Sequence, residues 1–429
     1  MSGKWSEISS ITTSEELNAL KSLNEFYNGS AIIDWMAGLW CPTPGGFYYA
    51  NSARDHEGFL PDIESTVQLL RWTVANGALA SYGDYANALP GEVKNKLLSF
   101  ALSLQDEESG YFYHPQWGAG IGNARRGRDL GWSVDLIKRL GGNPKYPTAT
   151  ERLVARAEGK EQSSNLPEYL TSREKYLAWL HEINANMREN SGNAHGMNAV
   201  CSQIVAAGFL EDTLEFLDNM QKTIYEEQVA AGETPTGLWQ KPTDYKAVWG
   251  LLKLASFYGR GRTLSGKKYV MRYPREAVRT CVNVILLPAA DGNYFMNDIY
   301  NQWSGLGTLI GDVKYNSPEM VDELYSIVRE RLPEMIGNSI EKLKPFKQAD
   351  NTFSYRKGSS SPTTQGVEVS LGYPEGDVNA TCLASSMYRC VFTDVGLPVV
   401  PLCTAEDGER FIATVSRAKP IVKKPRPEK

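Results

Sequence analysis

Five carboxylates stand where polar residues open an apolar helical run: Asp62, Glu64, Asp129, Asp244 and Asp377. Carboxyl groups so placed can divide the work of glycoside hydrolysis. One protonates the leaving oxygen and the other acts as base or nucleophile. A pocket that gathers several acids raises the pKa of one and leaves a neighbour low. An Asp at a helix start is equally an ordinary N-cap, because its oxygen accepts from free backbone N–H groups. The spacing leaves open which two carboxylates face each other.

A second string is polar, Gly-rich and aromatic at once: Tyr113, His114 and Trp117, then Arg125, Arg126, Arg128, Asp129 and Trp132. Arg126 or Arg128 can fork onto a uronate carboxylate or a phosphate, and Trp117 and Trp132 can stack on a sugar face. His195 lies in the Gly-flanked run Ser191–Asn198, which reads as a turn. With Asn193, Asn198 and a tyrosine such as Tyr48, Tyr113 or Tyr355, it can supply the neutraliser and base of a β-elimination. The segment 355–379 reads as a flap over a mouth, with Arg356 and Asn379 touching substrate. Trp239 and Trp303 sit beside turns and are read as pocket rings, whereas Trp249 falls on an apolar face and is read as core. Tyr49, Arg54 and Tyr245 complete the expected substrate contacts.

The elements that must position these residues are helices. Ile63, Val67, Leu70 and Val74 share one helical face, as do Val93, Leu97, Phe100 and Leu104. Met320, Leu324, Ile327 and Val328 repeat the pattern, and Val378, Cys382, Met387 and Cys390 follow it less strictly. Thr13 with Glu16 and Thr171 with Glu174 read as capping boxes. Ser317-Pro318-Glu319 opens a helix, and Gly29 and Gly77 sit where helices stop. Strand alternation is scarce, with Lys267–Arg272 and Val367–Leu371 as the short candidates. Residues 1–417 read as one all-α domain, with 141–165 a long loop inside it. Residues 418–429, with three Pro and five Lys or Arg, read as a flexible polar tail.

Short Gly- or Asp-plus-aromatic turns recur between the helices. They begin at Gly45, Gly110, Gly237, Asp291 and Asp350, and Gly192–Gly196 is a sixth candidate. A repeat of roughly 60 residues suits one helical hairpin with a functional loop, and hairpins need neighbours to bury their faces. Six of them in one chain suggest a closed ring. The N-termini of its inner helices would converge on one mouth, dipoles aimed inward.

Composition narrows the function. The 429 residues carry a net charge of −5, so nucleic acid is not the expected partner. Ten Trp, 22 Tyr and 13 Phe suit a wet, ring-lined cleft. Six Cys without CxxC spacing read as reduced thiols, and four scattered His without HExxH give no metal site. No cofactor is called for. The longest apolar stretch, near Val282–Ala290, is too short for a membrane span, and no apolar leader opens the chain. A cytoplasmic protein with a small-molecule carbohydrate substrate is expected.

The segments Gln105–Phe112 and Gln348–Phe353 resemble the Gln…Gly-x-aromatic repeats of terpenoid cyclases and protein prenyltransferases, although the second lacks the Gly. The layout as a whole resembles the α/α toroids, which also include six-hairpin glycosidases and polysaccharide lyases. The departures favour the carbohydrate branch. Asp62-Ile-Glu64 lacks half of the Asp-x-Asp-Asp of protonating cyclases, and there is no DDxxD for a diphosphate. Asp377 and Cys382 have no well-placed His to complete a prenyltransferase zinc site. The resemblance implies an (α/α)6 toroid and a glycoside hydrolase acting on an oligosaccharide. A lyase on a uronate-containing glycan is the alternative. An isoprenoid cyclase or a non-catalytic glycan- or protein-binding toroid stands behind it.

Overall fold

Apolar faces at helical spacing become helices almost everywhere in the chain. The computed structural model describes residues 2–80, 85–157, 167–189, 192–240, 245–265, 270–289 and 294–427. Twelve helices among them frame the molecule: α1 (Gly29–Gly38), α2 (Ile63–Ala75), α3 (Gly91–Ser103), α4 (Asn123–Arg139), α5 (Arg173–Glu189) and α6 (Gly192–Ala199). The rest are α7 (Leu210–Ala230), α8 (Tyr245–Ser265), α9 (Pro274–Leu286), α10 (Met296–Asn316), α11 (Leu332–Leu343) and α12 (Val378–Thr393). The described strands are two residues each, Thr363–Thr364 paired antiparallel with Val367–Glu368. The chain is mostly helical, as its periodicity requires.

The even-numbered helices pack side by side in succession. Helix α2 contacts α4, α4 contacts α6, α6 contacts α8, α8 contacts α10, α10 contacts α12, and α12 contacts α2 again. Two of these contacts depend on glycine. A Cβ on Gly127 of α4 would stand 2.5 Å from the Ala199 carbonyl oxygen of α6, and one on Gly305 of α10 would stand 2.6 Å from Val248 Cγ1 of α8. Odd-numbered helices cover them: α3 lies on α4, α7 on α8, and α9 on both α8 and α10. The core between them is continuous and includes Trp239 and Trp303, both fully buried.

Local signals hold in most places. Thr13 and Glu16 form a capping box, and Gly77 ends α2 with φ +87°. Pro318 opens a 3-10 turn that runs on into the helix Val321–Arg329. Five expectations need correction. Gly29 starts a helix, because Asn28 accepts from Ala31 N and caps it. Gly192–Gly196 lies within α6, where packing on α4 and α8 outweighs glycine's low helix propensity. Ser172, not Thr171, accepts the free N–H at the start of α5, from Lys175. The expected strand Val367–Leu371 shrinks to two residues, and of Lys267–Arg272 only 270–272 are described, without strand structure. The C-terminal segment is tied down. Lys423 Nζ donates to the carbonyls of Ala53, His56 and Phe59 at 3.0, 3.1 and 2.7 Å, and Arg426 pairs with Glu368 of the hairpin. The turn expected at Asp291 lies largely outside the described residues.

All six cysteines are free thiols. No described helix is long and apolar enough to cross a membrane.

Candidate functional site

Each even-numbered helix turns one stripe of side chains to a single cavity of about 660 Å³. The spacing along each helix is three or four residues, the period that keeps side chains on one face. Helix α2 gives Gln68, Arg71 and Trp72, α4 gives Arg128 and Trp132, and α6 gives His195. Helix α8 gives Trp249 and Lys253, α10 gives Asn297, Tyr300 and Asn301, and α12 gives Asn379, Ser386 and Arg389. Tyr355 and Gln365 reach it from the long loop before α12. No carboxylate stands among the described lining residues. Several polar atoms of these residues are buried without a partner among the described residues: Gln68 Oε1, Trp72 Nε1, Arg128 Nε, His195 Nδ1 and Asn297 Oδ1.

Behind the wall lies a buried charge cluster. Arg125, with no exposed side-chain surface, approaches three carboxylates. Its Nη1 donates to Glu64 Oε2 at 3.0 Å, its Nε to Asp129 at 3.0 Å, and Asp62 Oδ1 is 3.7 Å from Nη2. Trp117 lies under the guanidinium at 5.0 Å and stacks on His114 at 4.0 Å. The other Glu64 oxygen takes a close ion pair from Arg128 and a 3.1 Å bond from Gln68 Nε2, which also donates to Asn379 at 3.2 Å. The Glu64 carboxylate thereby holds Arg128 and Gln68 in place at the cavity.

One guanidinium cannot neutralise three acids, and they titrate apart. Burial alone would raise Glu64, but Arg128 and Arg125 outweigh it and hold this carboxyl below its ordinary value. Burial dominates at the other two: Asp62 is raised, and Asp129 is pushed up to about 7 against the pull of Arg125. A carboxyl raised in the folded state stabilises fully below its unfolded pKa, and that contribution is lost as pH rises through the folded value. Asp129→Asn keeps the shape and cannot ionise. It should therefore flatten the fall in melting temperature from about pH 5 to pH 8 relative to the wild type. An unchanged slope would place the proton elsewhere.

Burial first, then Lys253 and Arg128, depress His195 to about 4, so its ring is neutral at ordinary pH. Burial also lowers Lys253, to about 8, with Arg128 adding to the effect. Burial pushes the Tyr355 phenol above its ordinary value, with Asp298 and Asp377 adding to it.

The expected residues divide into three groups. Arg128, Trp132, His195, Tyr355 and Asn379 line the cavity, with Glu64 just behind them. Asp62, Asp129, Asp377, His114, Trp117 and Tyr49 form its second layer. Asp62 caps α2, accepting from Ser65 N at 2.9 Å. Asp377 caps α12, accepting from Ala380 N and Tyr355 N at 2.8 Å each, and burial pushes its carboxyl up to about 7. The buried Tyr49 phenol lies beside it.

The rest stand elsewhere for identifiable reasons. Trp239 and Trp303 are core rings, not pocket rings, because their indole N–H groups find internal partners in Leu217 O and Ser339 Oγ, both at 2.9 Å. Trp249, read as core, lines the cavity instead. Arg356 is exposed in a turn outside the wall. Arg54 pairs with Asp55, Arg126 donates to the carbonyls of Ala119 and Ile121, and Tyr48 sits against Cys41 and Lys423. Asn198 donates to Lys253 O and Ser256 Oγ and faces a neighbouring cavity. Tyr245 packs edge-on to Tyr294. Asp244 lies outside the described residues.

Sequence reading missed Lys253, Asn297, Asn301 and Arg389. Their signal was present: a polar residue four positions from an aromatic or amide on an otherwise apolar helix, as in Trp249/Lys253 and Asn297/Asn301. No protein-family model matches this chain, and neither curated proteins nor solved structures give a match.

Proposed function

We propose that the chain closes as an (α/α)6 toroid and acts as a carbohydrate-active enzyme that cleaves an acidic oligosaccharide by β-elimination. Support for the ring comes from the succession of even-numbered helix contacts that returns from α12 to α2. The observation that carries the chemistry is the cavity wall, which combines cations, amides and aromatic rings with His195 and Tyr355. Arg128 and Lys253 suit a uronate carboxylate, and neutralising it acidifies the proton on the adjacent carbon. The neutral His195 ring takes that proton. The electron pair left behind forms a carbon–carbon double bond as the glycosidic C–O bond breaks. Tyr355, whose phenol stays protonated, gives its proton to the leaving oxygen.

This assignment makes a pH prediction. His195 must be neutral and Lys253 charged, so kcat/KM rises through about 4 and falls through about 8. A profile with no falling limb on the alkaline side removes Lys253 from substrate binding.

Hydrolysis is the second reading, favoured by Glu64, an ionised carboxylate bonded to the wall residue Gln68. A panel of acidic and neutral oligosaccharides separates the two, reading reducing ends together with the ultraviolet absorbance of unsaturated uronates. New absorbance supports elimination. New reducing ends without it, abolished by Glu64→Gln, establish hydrolysis instead.

A further inference from the structure

The central cavity has two ends, and a bond between α2 and α12 marks each. At one end Gln68 Nε2, in the first half of α2, donates to Asn379 Oδ1 in the first turn of α12 at 3.2 Å. At the other the Arg389 guanidinium donates through Nη1 to the carbonyl oxygen of Ala75, the last residue of α2. Ten residues of helix separate Asn379 from Arg389, a rise of about 15 Å. The groups of the proposed elimination belong to the first end. Glu64 holds both Gln68 and Arg128 there, and Tyr355 N donates to Asp377, the N-cap of α12. Arg389 stands apart from them, half-buried in the wall with Ser386 one turn before it. With Nη1 taken by Ala75, its Nε–Nη2 fork has no partner among the described residues and no described carboxylate pairs with it. The Tyr300 phenol, also in the wall, is near enough to Cys390 and Asp394 at this end of α12 to feel their charge. It accepts from Ser304 Oγ at 3.1 Å, which leaves its own O–H to donate. Burial pushes the Asp394 carboxyl well above its ordinary value and favours the neutral form, which does not offset Arg389.

We infer that Arg389 forms a second anion site at the far end of the cavity, so that the substrate carries a further acidic group beyond the uronate that is cleaved. The inference rests on the elimination reading and narrows its substrate class. Lys253, beside Arg128, and Arg389, at the other end, then each meet one acidic group. The carboxylate of a second uronate and a sulfate ester share the chemistry the site recognises, a pair of anionic oxygens on a guanidinium fork. A chain with one acidic group in the cavity would leave Arg389 without a counter-ion.

Three trisaccharides test it. The reference carries a single glucuronate between two N-acetylgalactosamines, the second is its sulfated counterpart, and the third is trigalacturonate. The wild type is expected to favour the second or the third over the reference by about tenfold in kcat/KM, the size of one modest contact. Which of the two is favoured tells whether the site takes sulfate or carboxylate. Arg389→Met should bring that ratio to about one. Arg389→Lys, which keeps the charge and loses the fork, should lose part of it. Lys253→Met should lower kcat/KM for every probe and leave the ratio in place. A ratio taken within one variant is independent of how much of that variant is folded. A wild type that cleaves the probes with no preference for the more acidic ones overturns the second site and leaves elimination standing. So does a ratio that either Arg389 variant leaves intact. A wild type inert to every uronate probe overturns both.

Discussion

Arg125→Met is expected to cost about 3–5 kcal/mol of folding stability, read as a fall in the denaturant midpoint and in Tm. Arg125 is the shared counter-ion of Asp62, Glu64 and Asp129, and none of these carboxyls reaches solvent to any useful extent. Removing one partner of a buried ion pair leaves the other's desolvation uncompensated, and here Asp62 and Asp129 lose their counter-ion while Glu64 keeps Arg128. Methionine restores much of the volume, so a cavity does not account for the loss. Arg125→Lys should fail almost as badly, because an ammonium cannot fork to several carboxylates. Adding Asp62→Asn and Asp129→Asn to Arg125→Met should recover part of the stability, since amides need no counter-charge. A variant as stable as the wild type would mean that the cluster is not held by its charges.

Tyr355→Phe and His195→Ala are each expected to lower kcat by about 10²–10⁴ while leaving KM for an acidic oligosaccharide within a few-fold of the wild type. In the proposed elimination both side chains act on protons that move only in the transition state, whereas Arg128, Lys253 and the amides hold the ground-state ligand. Neither variant should disturb the fold. No described protein group bonds His195 Nδ1, and Tyr355 is anchored through its backbone N–H to Asp377 rather than through its phenol. Lys253→Met gives the contrasting signature, a raised KM and the loss of the alkaline limb of the pH profile. If Tyr355→Phe retains full kcat, the proton reaches the leaving oxygen by another route and the elimination scheme fails.

The cation-rich wall gives both predictions a common basis. Four of its basic side chains come from four different positions on α2, α4, α8 and α12, yet the chain as a whole is acidic. Arg71 and Arg128 are paired with Asp135 and Glu64 behind the wall, so Lys253 and Arg389 are the basic groups of the described wall that no described carboxylate pairs.

Much of this was legible in the residues. Ile63, Val67, Leu70 and Val74 announce α2 by spacing alone, and Asp62 and Asp377 announce its start and that of α12, since capping chemistry is local. The string from His114 to Trp132 mixes polar, aromatic and Gly residues as an apolar core does not, and two of its members, Arg128 and Trp132, line the cavity. Its members then separated in three dimensions. Arg128 and Trp132, four apart on α4, turn to the cavity, while Arg125 and Asp129, four apart on the adjoining face, turn inward to Asp62 and Glu64. A rotation of one residue about a helix axis, near 100°, is the difference between a ligand contact and a buried counter-ion.

The sequence by itself determined the helical class, most helix starts, the free thiols and the cluster of residues around His114–Trp132. These depend on hydrogen bonds and apolar periodicity over a few neighbours, so they are written locally. Only the tertiary structure decided that Trp239 and Trp303 belong to the core while Trp249 and Lys253 belong to the wall. It also decided that Lys423 straps residues 53–59 and that Glu64 serves Arg128. Which face of each helix is covered depends on which helices lie beside it, and partners tens to hundreds of residues apart are chosen by packing the whole chain at once.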